Sequence, residues 1–378
     1  MKLIIATANL SLRGGAEAVI FKIAEHYNAP IYTAEYSPKS TFEEFERIDI
    51  RVIGKSLAGK LLPYGRVAQG INYGLGFYSM KINEDYDVIN AHIAPSNWIR
   101  NKNERVLWYV HTPLRDVYDL YKYRMSLRKK YTVPISWLGI KIVRHIDQRI
   151  TKKIELMLAN SNNTRERIKK YYKIDAKVLS PCVDYKNYSN SGDKKYFLYP
   201  ARISPNKRQE MAIDAFRIFS KKIKGYSLVL LGSVSKDPFY YSYYEKIKEK
   251  ARQAGNVRIV SNVDNKALYA FYSKATAVLY TPINEDFGLA PLEGMASSKV
   301  VISVNEGGPK ETIQNGVNGY LVGSVEEMAE KMKYVVEHPA VAGQIGKRAR
   351  AFVEKNYSWE VFFKKFDKYL EKVSKKSI

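Results

Sequence analysis

Two doubly wound α/β domains, each built on a parallel sheet, are predicted by three observations. Short, apolar, β-branched runs recur along the 378 residues; longer amphipathic stretches separate them; and the alternation starts again after a polar break near the middle. In the first half the runs are "KLIIATAN" (2–9), "YDVINAH" (86–92), "RVLWYVH" (105–111) and "IELMLAN" (154–160). In the second they are "KYFLYPAR" (195–202), "YSLVLLGS" (226–233), "NVRIVSNV" (256–263), "TAVLYTP" (276–282) and "KVVISVN" (299–305). Each reads as a strand covered on both faces. Helical periods fall between them, as in 206–223, with Met211, Ala215, Ile218 and Phe219 on one face, and in 265–275. The segment 358–373 reads as an amphipathic helix with Ser358 as its N-cap. The polar stretch "CVDYKNYSNSGDKK" (182–195) reads as a linker, which places the domains at 1–185 and 194–355.

Composition narrows the class. Hydrophobic residues make up 46%, as in a globular chain, and no apolar run nears the ~20 residues of a membrane span. The opening "MKLIIATANLSLRGG" reads as the first strand and its turn, because Asn9 and Arg13 interrupt the apolar run. Cys182 is the only cysteine, which excludes an intrachain disulfide and fits a cytoplasmic location. Lys and Arg number 62 against 38 Asp and Glu, a formal net charge of +24. Such an excess attracts nucleic acid, an anionic membrane or phosphorylated substrates, without choosing among them.

Chemistry is expected in loops that follow strands, where open α/β sheets bind ligands. Gly14 and Gly15 follow the first strand and expose amides at a helix N-terminus to an anion. Arg202 and Lys207, in "PARISPNKRQE" (200–210), set a guanidinium fork and a mobile ammonium five residues apart, which suits a diphosphate. In "NEDFGLAPLEG" (284–294), Glu285 lies in a loop and Glu293 in the first turn of the next helix, with Gly288 between them. A carboxylate accepts hydrogen bonds from two vicinal hydroxyls, so each acid can hold one sugar while intervening amides meet phosphate. Paired glycosidase carboxylates are the competing reading; the Arg/Lys pair and the bare amides favour a phosphate-bearing donor. The Asp-x-Asp sequence in "EDYD" (84–87) reads as a loop before a strand rather than a metal motif, so no metal and no other cofactor is expected.

At these residues the chain resembles the retaining glycosyltransferase family 4, of GT-B fold, over essentially its whole length. The resemblance is carried by Gly14-Gly15, by "ARISPNKR" against a G-R-x-x-x-x-K-G pattern, by the Glu285–Glu293 spacing, by "SPCVD" (180–184) and by "YSWE" (357–360). It implies two Rossmann-like domains facing across a cleft, with the terminal helix (358–376) packing back on the first. It implies that Arg202 and Lys207 bind the donor diphosphate, that Glu285 and the amides of Phe287, Gly288 and Leu289 contact the transferred sugar or phosphate, and that Glu293 binds ribose. Gly14 and Gly15 would cover the diphosphate, the base would lie near Asn262–Val263, and His111 would touch the sugar near the reacting carbon. Ala201, Arg208, Ser261-Asn262 and Cys182 depart from the family's glycines, which puts loop shape and base choice in question.

The segment "HTPLRDVYDLY" (111–121) looks like a mannosyltransferase subgroup and implies GDP-mannose, with UDP-linked hexoses as the alternative donor. Basic-aromatic stretches at 121–131, 141–153 and 164–173 suit a lipid-linked acceptor at an anionic membrane surface, met from the cytoplasmic face. A soluble acceptor, and a nucleic-acid-binding protein, are the readings set against this. The second leaves the acid pair and the Arg202–Lys207 spacing unexplained, so no specific nucleic acid is expected.

Overall fold

Seven strands of the first half lie parallel in the order β3-β2-β1-β4-β5-β6-β7: β1 (Leu3–Thr7), β2 (Ile31–Thr33), β3 (Ile50–Val52), β4 (Val88–Ala91), β5 (Val106–Val110), β6 (Leu156–Ala159) and β7 (Lys177–Val178). Six more form a second parallel sheet, β10-β9-β8-β11-β12-β13: β8 (Tyr196–Pro200), β9 (Ser227–Leu231), β10 (Val257–Val260), β11 (Ala277–Tyr280), β12 (Val300–Val304) and β13 (Tyr320–Val322). This computed structural model describes residues 1–54, 66–115, 117–119, 121, 125, 133–235 and 237–375. They divide into two compact units, Met1–Ser180 with Phe363–Ile378, and Pro181–Phe362.

In both sheets the strand order reverses direction beside the first strand, between β1 and β4 and between β8 and β11. That is the doubly wound order, whose switch point opens a crevice at the carboxyl ends of the strands. The loops after β1 and β4 hold Gly14 and His92; those after β8 and β11 hold Lys207 and Glu285. Every residue of β1, β4, β5, β8, β11 and β12 is buried, which is why these strands read as continuous apolar runs.

The first unit buries a polar centre beneath its sheet. Asp147 accepts from Trp98 Nε1 (2.8 Å), Tyr172 Oη (2.8 Å), Tyr118 Oη (2.9 Å) and Asn97 Nδ2 (3.3 Å). Burial still pushes its carboxyl upward, because four donors do not fully replace water. The terminal helix, Trp359–Ser374, begins as expected, with Val361 N donating to Ser358 Oγ at 3.4 Å. From Phe363 onward it lies against the helix Gly15–Tyr27: the Phe363 ring stacks on His26 at 3.7 Å, and Tyr27 Oη donates to Asp367 at 2.7 Å.

Two expectations shift in detail. The segment 206–223 is a short 3-10 turn, Pro205–Lys207, followed by a helix over Gln209–Lys222. Its buried stripe is Ala212, Ile213, Ala215, Phe216 and Phe219, whereas Met211 and Ile218 are only half-buried, since the turn rotates the helix relative to an uninterrupted period. The polar stretch 182–195 is also packed: Val183 and Tyr188 join the core of the second unit, and Lys299 Nζ holds Asn190 Oδ1 and Gly192 O at 2.7 Å each.

Candidate functional site

In the second unit the loops after β8, β11 and β12 interlock through their backbones. Thr281, just past β11, donates its hydroxyl to the carbonyls of Lys207 (3.0 Å) and Arg208 (2.9 Å), and Ile283 N donates to Asn206 O at 2.8 Å. Gly308 N donates to Glu285 O at 2.8 Å. A Cβ on Gly307 would sit 2.5 Å from Glu285 O, and one on Gly308 2.3 Å from Phe287 O. Only glycines allow this backbone-on-backbone approach.

That scaffold brings Lys207 and Glu285 together. Lys207 Nζ lies 2.6 Å from Glu285 Oε2, with the side chains 14% and 19% exposed. Arg202, by contrast, is exposed, and its carbonyl is tied by Gln209 Nε2 at 2.9 Å. Phe287 turns its ring into the core, so only its backbone is offered to a ligand. Gly288 takes φ +90° and ψ 91° as the N-cap of the helix Leu289–Ala296, with no side chain capping the helix. The first amides of that helix have no intrahelical acceptor, as at any helix start, and their dipoles favour an anion there.

Glu293 corrects the reading from spacing alone. It lies beyond the first turn of this helix, which holds no acidic residue, because the helix opens on Leu289. Its carboxylate is held by the hydroxyls of Tyr272 and Tyr188, and burial raises its pKa while those two donors lower it. Both tyrosines are pushed upward in turn by burial and by the carboxylate. Val263, in the loop after β10, packs against the same core cluster, and Asn262 before it takes a left-handed φ of +58°.

Arg208 was expected only as a departure from glycine. It adopts φ +50° and uses its side chain to join the loops: Nε donates to Thr281 O at 2.7 Å, and Nη2 to Glu306 Oε1 at 2.8 Å. Spacing along the chain gave no hint of a partner 98 residues away. The "EGG" at 306–308, directly after an apolar strand, was the available signal for a close backbone approach.

In the first unit, Gly14 caps the helix Gly15–Tyr27 in extended backbone, again without a side-chain cap. Buried Glu17 bends back over it: a Cβ on Gly14 would meet Glu17 Oε2 at 2.6 Å. A carboxylate therefore already complements the positive end of this helix. His111 follows β5 and is 9% exposed; its Nε2 lies 3.0 Å from Nδ1 of His92, and His92 Nε2 lies 2.7 Å from Asn90 Oδ1. Burial lowers the pKa of His111 to about 3 and depresses that of His92 as well, so both rings are neutral at physiological pH.

Two Rossmann-like parallel-sheet domains, with charged and glycine-rich loops at the switch points, define the GT-B class. Sucrose-phosphate synthase from Thermosynechococcus elongatus shares this fold at TM-score 0.77 and 17% identity, over 98% of this chain and 99% of that one. Anabaena HepE in complex with UDP-glucose does so at 0.74 and 16%, over 98% and 100%. The chain belongs to the family described as Glycosyl transferases group 1, which matches residues 184–372, and Glycosyltransferase Family 4 matches residues 13–187. Among curated relatives it is similar to the Homo sapiens alpha-1,3/1,6-mannosyltransferase ALG2, 26% identical over 95% of this chain and 93% of the relative.

Proposed function

We propose that this glycosyltransferase transfers mannose from GDP-mannose to a glycan acceptor, with retention of anomeric configuration and without a metal ion. The observation that carries the reading is end-to-end similarity to alpha-1,3/1,6-mannosyltransferases, spanning 95% of this chain. The Lys207–Glu285 pair at the switch point of the second sheet supports it. Donor binding replaces Glu285 by phosphate as the neighbour of Lys207, and frees the Glu285 carboxylate for hydroxyls of the sugar. The acceptor hydroxyl then attacks the anomeric carbon on the face from which the diphosphate departs. The new C–O bond forms as the bond to the phosphate oxygen breaks, and that oxygen takes the acceptor's proton. Arg202, Lys207 and the amides opening the helix at Leu289 stabilise the charge that grows on the leaving group.

The acceptor is proposed to be lipid-linked and met at the cytoplasmic face of a membrane. No helix among the described residues is long and apolar enough to cross a bilayer. The helix Val133–Thr151 nevertheless exposes Trp137 (44%), Leu138 (54%) and Ile142 (52%), with Lys141 Nζ 3.7 Å from the Trp137 ring centroid. Apolar side chains beside cations suit an anionic lipid surface. Much of the basic stretch 121–131 lies outside the described residues.

Incubation of the purified protein with GDP-mannose, UDP-glucose or other nucleotide-hexoses and a lipid-linked oligosaccharide tests the whole reading. An α-linked mannosyl product formed equally in EDTA supports it. Turnover with UDP-glucose alone reassigns the donor, and loss on chelation restored by Mg²⁺ removes metal independence. Sedimentation with anionic but not neutral vesicles at low salt is expected; indifference to both removes the membrane part.

A further inference from the structure

The buried pair of imidazoles has a direction that the atoms around it determine. Asn90 donates through Nδ2 to Leu107 O (3.2 Å) and Ala91 O (3.4 Å), so its Oδ1 is an acceptor. His92 Nε2, 2.7 Å from that oxygen, must therefore carry the proton, which leaves His92 Nδ1 as an acceptor. His111 Nε2, 3.0 Å from Nδ1, must in turn be the protonated nitrogen of its ring. A neutral imidazole carries one N–H, so His111 Nδ1 is left with a bare lone pair.

Strand geometry places these groups. β4 and β5 are parallel neighbours with Asn90 opposite Leu107 and Ala91 opposite Trp108. The two-residue side-chain period puts Asn90 and His92 on one face of their strand, and Tyr109 and His111 on one face of theirs. The indole of Trp108 donates to His92 O at 2.8 Å and holds the turn on which His92 sits. Asn160 Nδ2 donates to His111 O at 2.9 Å and holds the other. His92 is 1% exposed and His111 9%, so of the two residues His111 is the one that reaches the surface.

We propose that His92 is a positioning residue for transfer: relayed from Asn90, it fixes His111 in the tautomer whose Nδ1 accepts a hydrogen bond from a substrate hydroxyl. The inference deepens the proposed function, since it assigns His111 the part of acceptor rather than proton donor in that reaction. A ring locked in this tautomer spends no part of the binding free energy on choosing its proton position, and a wrong tautomer would present N–H to a hydroxyl proton.

The test is made on the full chain labelled with ¹⁵N-histidine, five residues in all. Nitrogen shifts should show Nε2–H and unprotonated Nδ1 for both His92 and His111, with no ligand added. In His92→Asn the amide oxygen stands near the place of Nδ1 and keeps His111 in this tautomer. In His92→Phe the acceptor is gone, and His111 moves toward the other tautomer or a mixture. kcat should fall about tenfold in His92→Phe, with KM for the donor within about twofold, and recover most of the loss in His92→Asn. An Nδ1–H signal on His111 in the wild-type chain, or an unchanged tautomer in His92→Phe, overturns the proposal. If His92→Phe does not fold, the wild-type spectrum and His92→Asn still decide. If the tautomer is as stated but no nucleotide-hexose is turned over, the functional reading fails alone.

Discussion

The two units handle polar groups in opposite ways at their switch points. In the second unit, opposite charges are paired at contact, Lys207 with Glu285 and Arg208 with Glu306, on loops tied to each other by backbone hydrogen bonds. In the first, at the ends of β4 and β5, burial favours the uncharged form and leaves two neutral imidazoles in a chain of hydrogen bonds. The contrast follows the tasks assigned above. A group that must meet a diphosphate has to stay charged without ligand, and a nearby carboxylate makes that tolerable. A group that reads a hydroxyl needs only a fixed lone pair, which desolvation keeps unprotonated and the hydrogen bond to His92 orients.

The largest effect that would break this contrast lies in the charged half. Lys207→Ala should lower kcat by about 10²–10³-fold, the usual cost of removing one donor aimed at developing charge. It also removes the cation in contact with the Glu285 carboxylate, so stability should fall by about 1–2 kcal/mol. Glu285→Gln, with Lys207 intact, removes the charge pairing and keeps the phosphate ligand, while weakening the proposed contact to the sugar hydroxyls. Its stability change therefore reports the pairing and its activity change the sugar contact. Arg202→Ala, at an exposed position, should cost activity with little change in melting. Steady-state kinetics and urea titration of the three variants measure this. If Lys207→Ala turns over as wild type does, the charged half is a surface ion pair and nothing more.

Next comes the scaffold that holds those charges. A methyl group on Gly308 would sit 2.3 Å from Phe287 O and 2.4 Å from Phe287 Cα, backbone against backbone. Neither segment can yield by a rotamer change, so Gly308→Ala should cost about 2–3 kcal/mol and raise the donor KM. Gly343, with nothing within 4 Å of its Cβ position, is the control, and Gly343→Ala in that helix should be neutral or stabilising. Equal melting of the two variants would show that the loops are free to separate.

The neutral half answers to pH. His111 has a folded pKa of about 3 against about 6.5 when free, so between these values the unfolded chain binds a proton that the folded chain refuses. Its stability contribution is complete above pH 6.5 and is lost as pH falls, by about 2 kcal/mol at pH 5. His92 acts in the same direction. Glu293, raised by burial, acts in the opposite one, because its folded carboxyl holds a proton more readily than the unfolded one. Urea midpoints at pH 7 and pH 5, compared between wild type and His111→Phe, cancel the common carboxylate background. The loss on acidification should be about 2 kcal/mol smaller in the variant, and an equal loss would mean that His111 is not dry.

Much of this was legible in the sequence, for reasons that also mark the limit. Strands such as β5 and β12, buried along their whole length, cannot hide their apolar runs. β2, β3, β7 and β13 span two or three residues each, too few for any period, and their order comes from the neighbour they pair with. Lys207 and Glu285, which the fold brings into contact, could be singled out because each follows a strand. Glu293 was placed one turn too early, since its spacing from Glu285 does not reveal where the helix opens. His92 stood in plain view at the end of "YDVINAH", and two histidines of matching parity at the ends of adjacent parallel strands were the signal. Reading it required knowing that β4 and β5 are neighbours.

The smallest effect concerns Arg208, where the charged half departs from its family's glycine. Arg208→Gly relieves a left-handed backbone at φ +50°, worth about 1 kcal/mol. It also removes the bonds from the guanidinium to Thr281 O and Glu306 Oε1, whose loss costs a similar amount. The two nearly cancel, so the melting point should move little, while the donor KM rises a few-fold as Glu306 and the loop beside Glu285 lose their tether. Arg208→Ala keeps the backbone strain without the tether and should be about 1 kcal/mol less stable than Arg208→Gly. If Ala and Gly are equally stable, the conformation costs nothing here, and the arginine is present for its guanidinium alone.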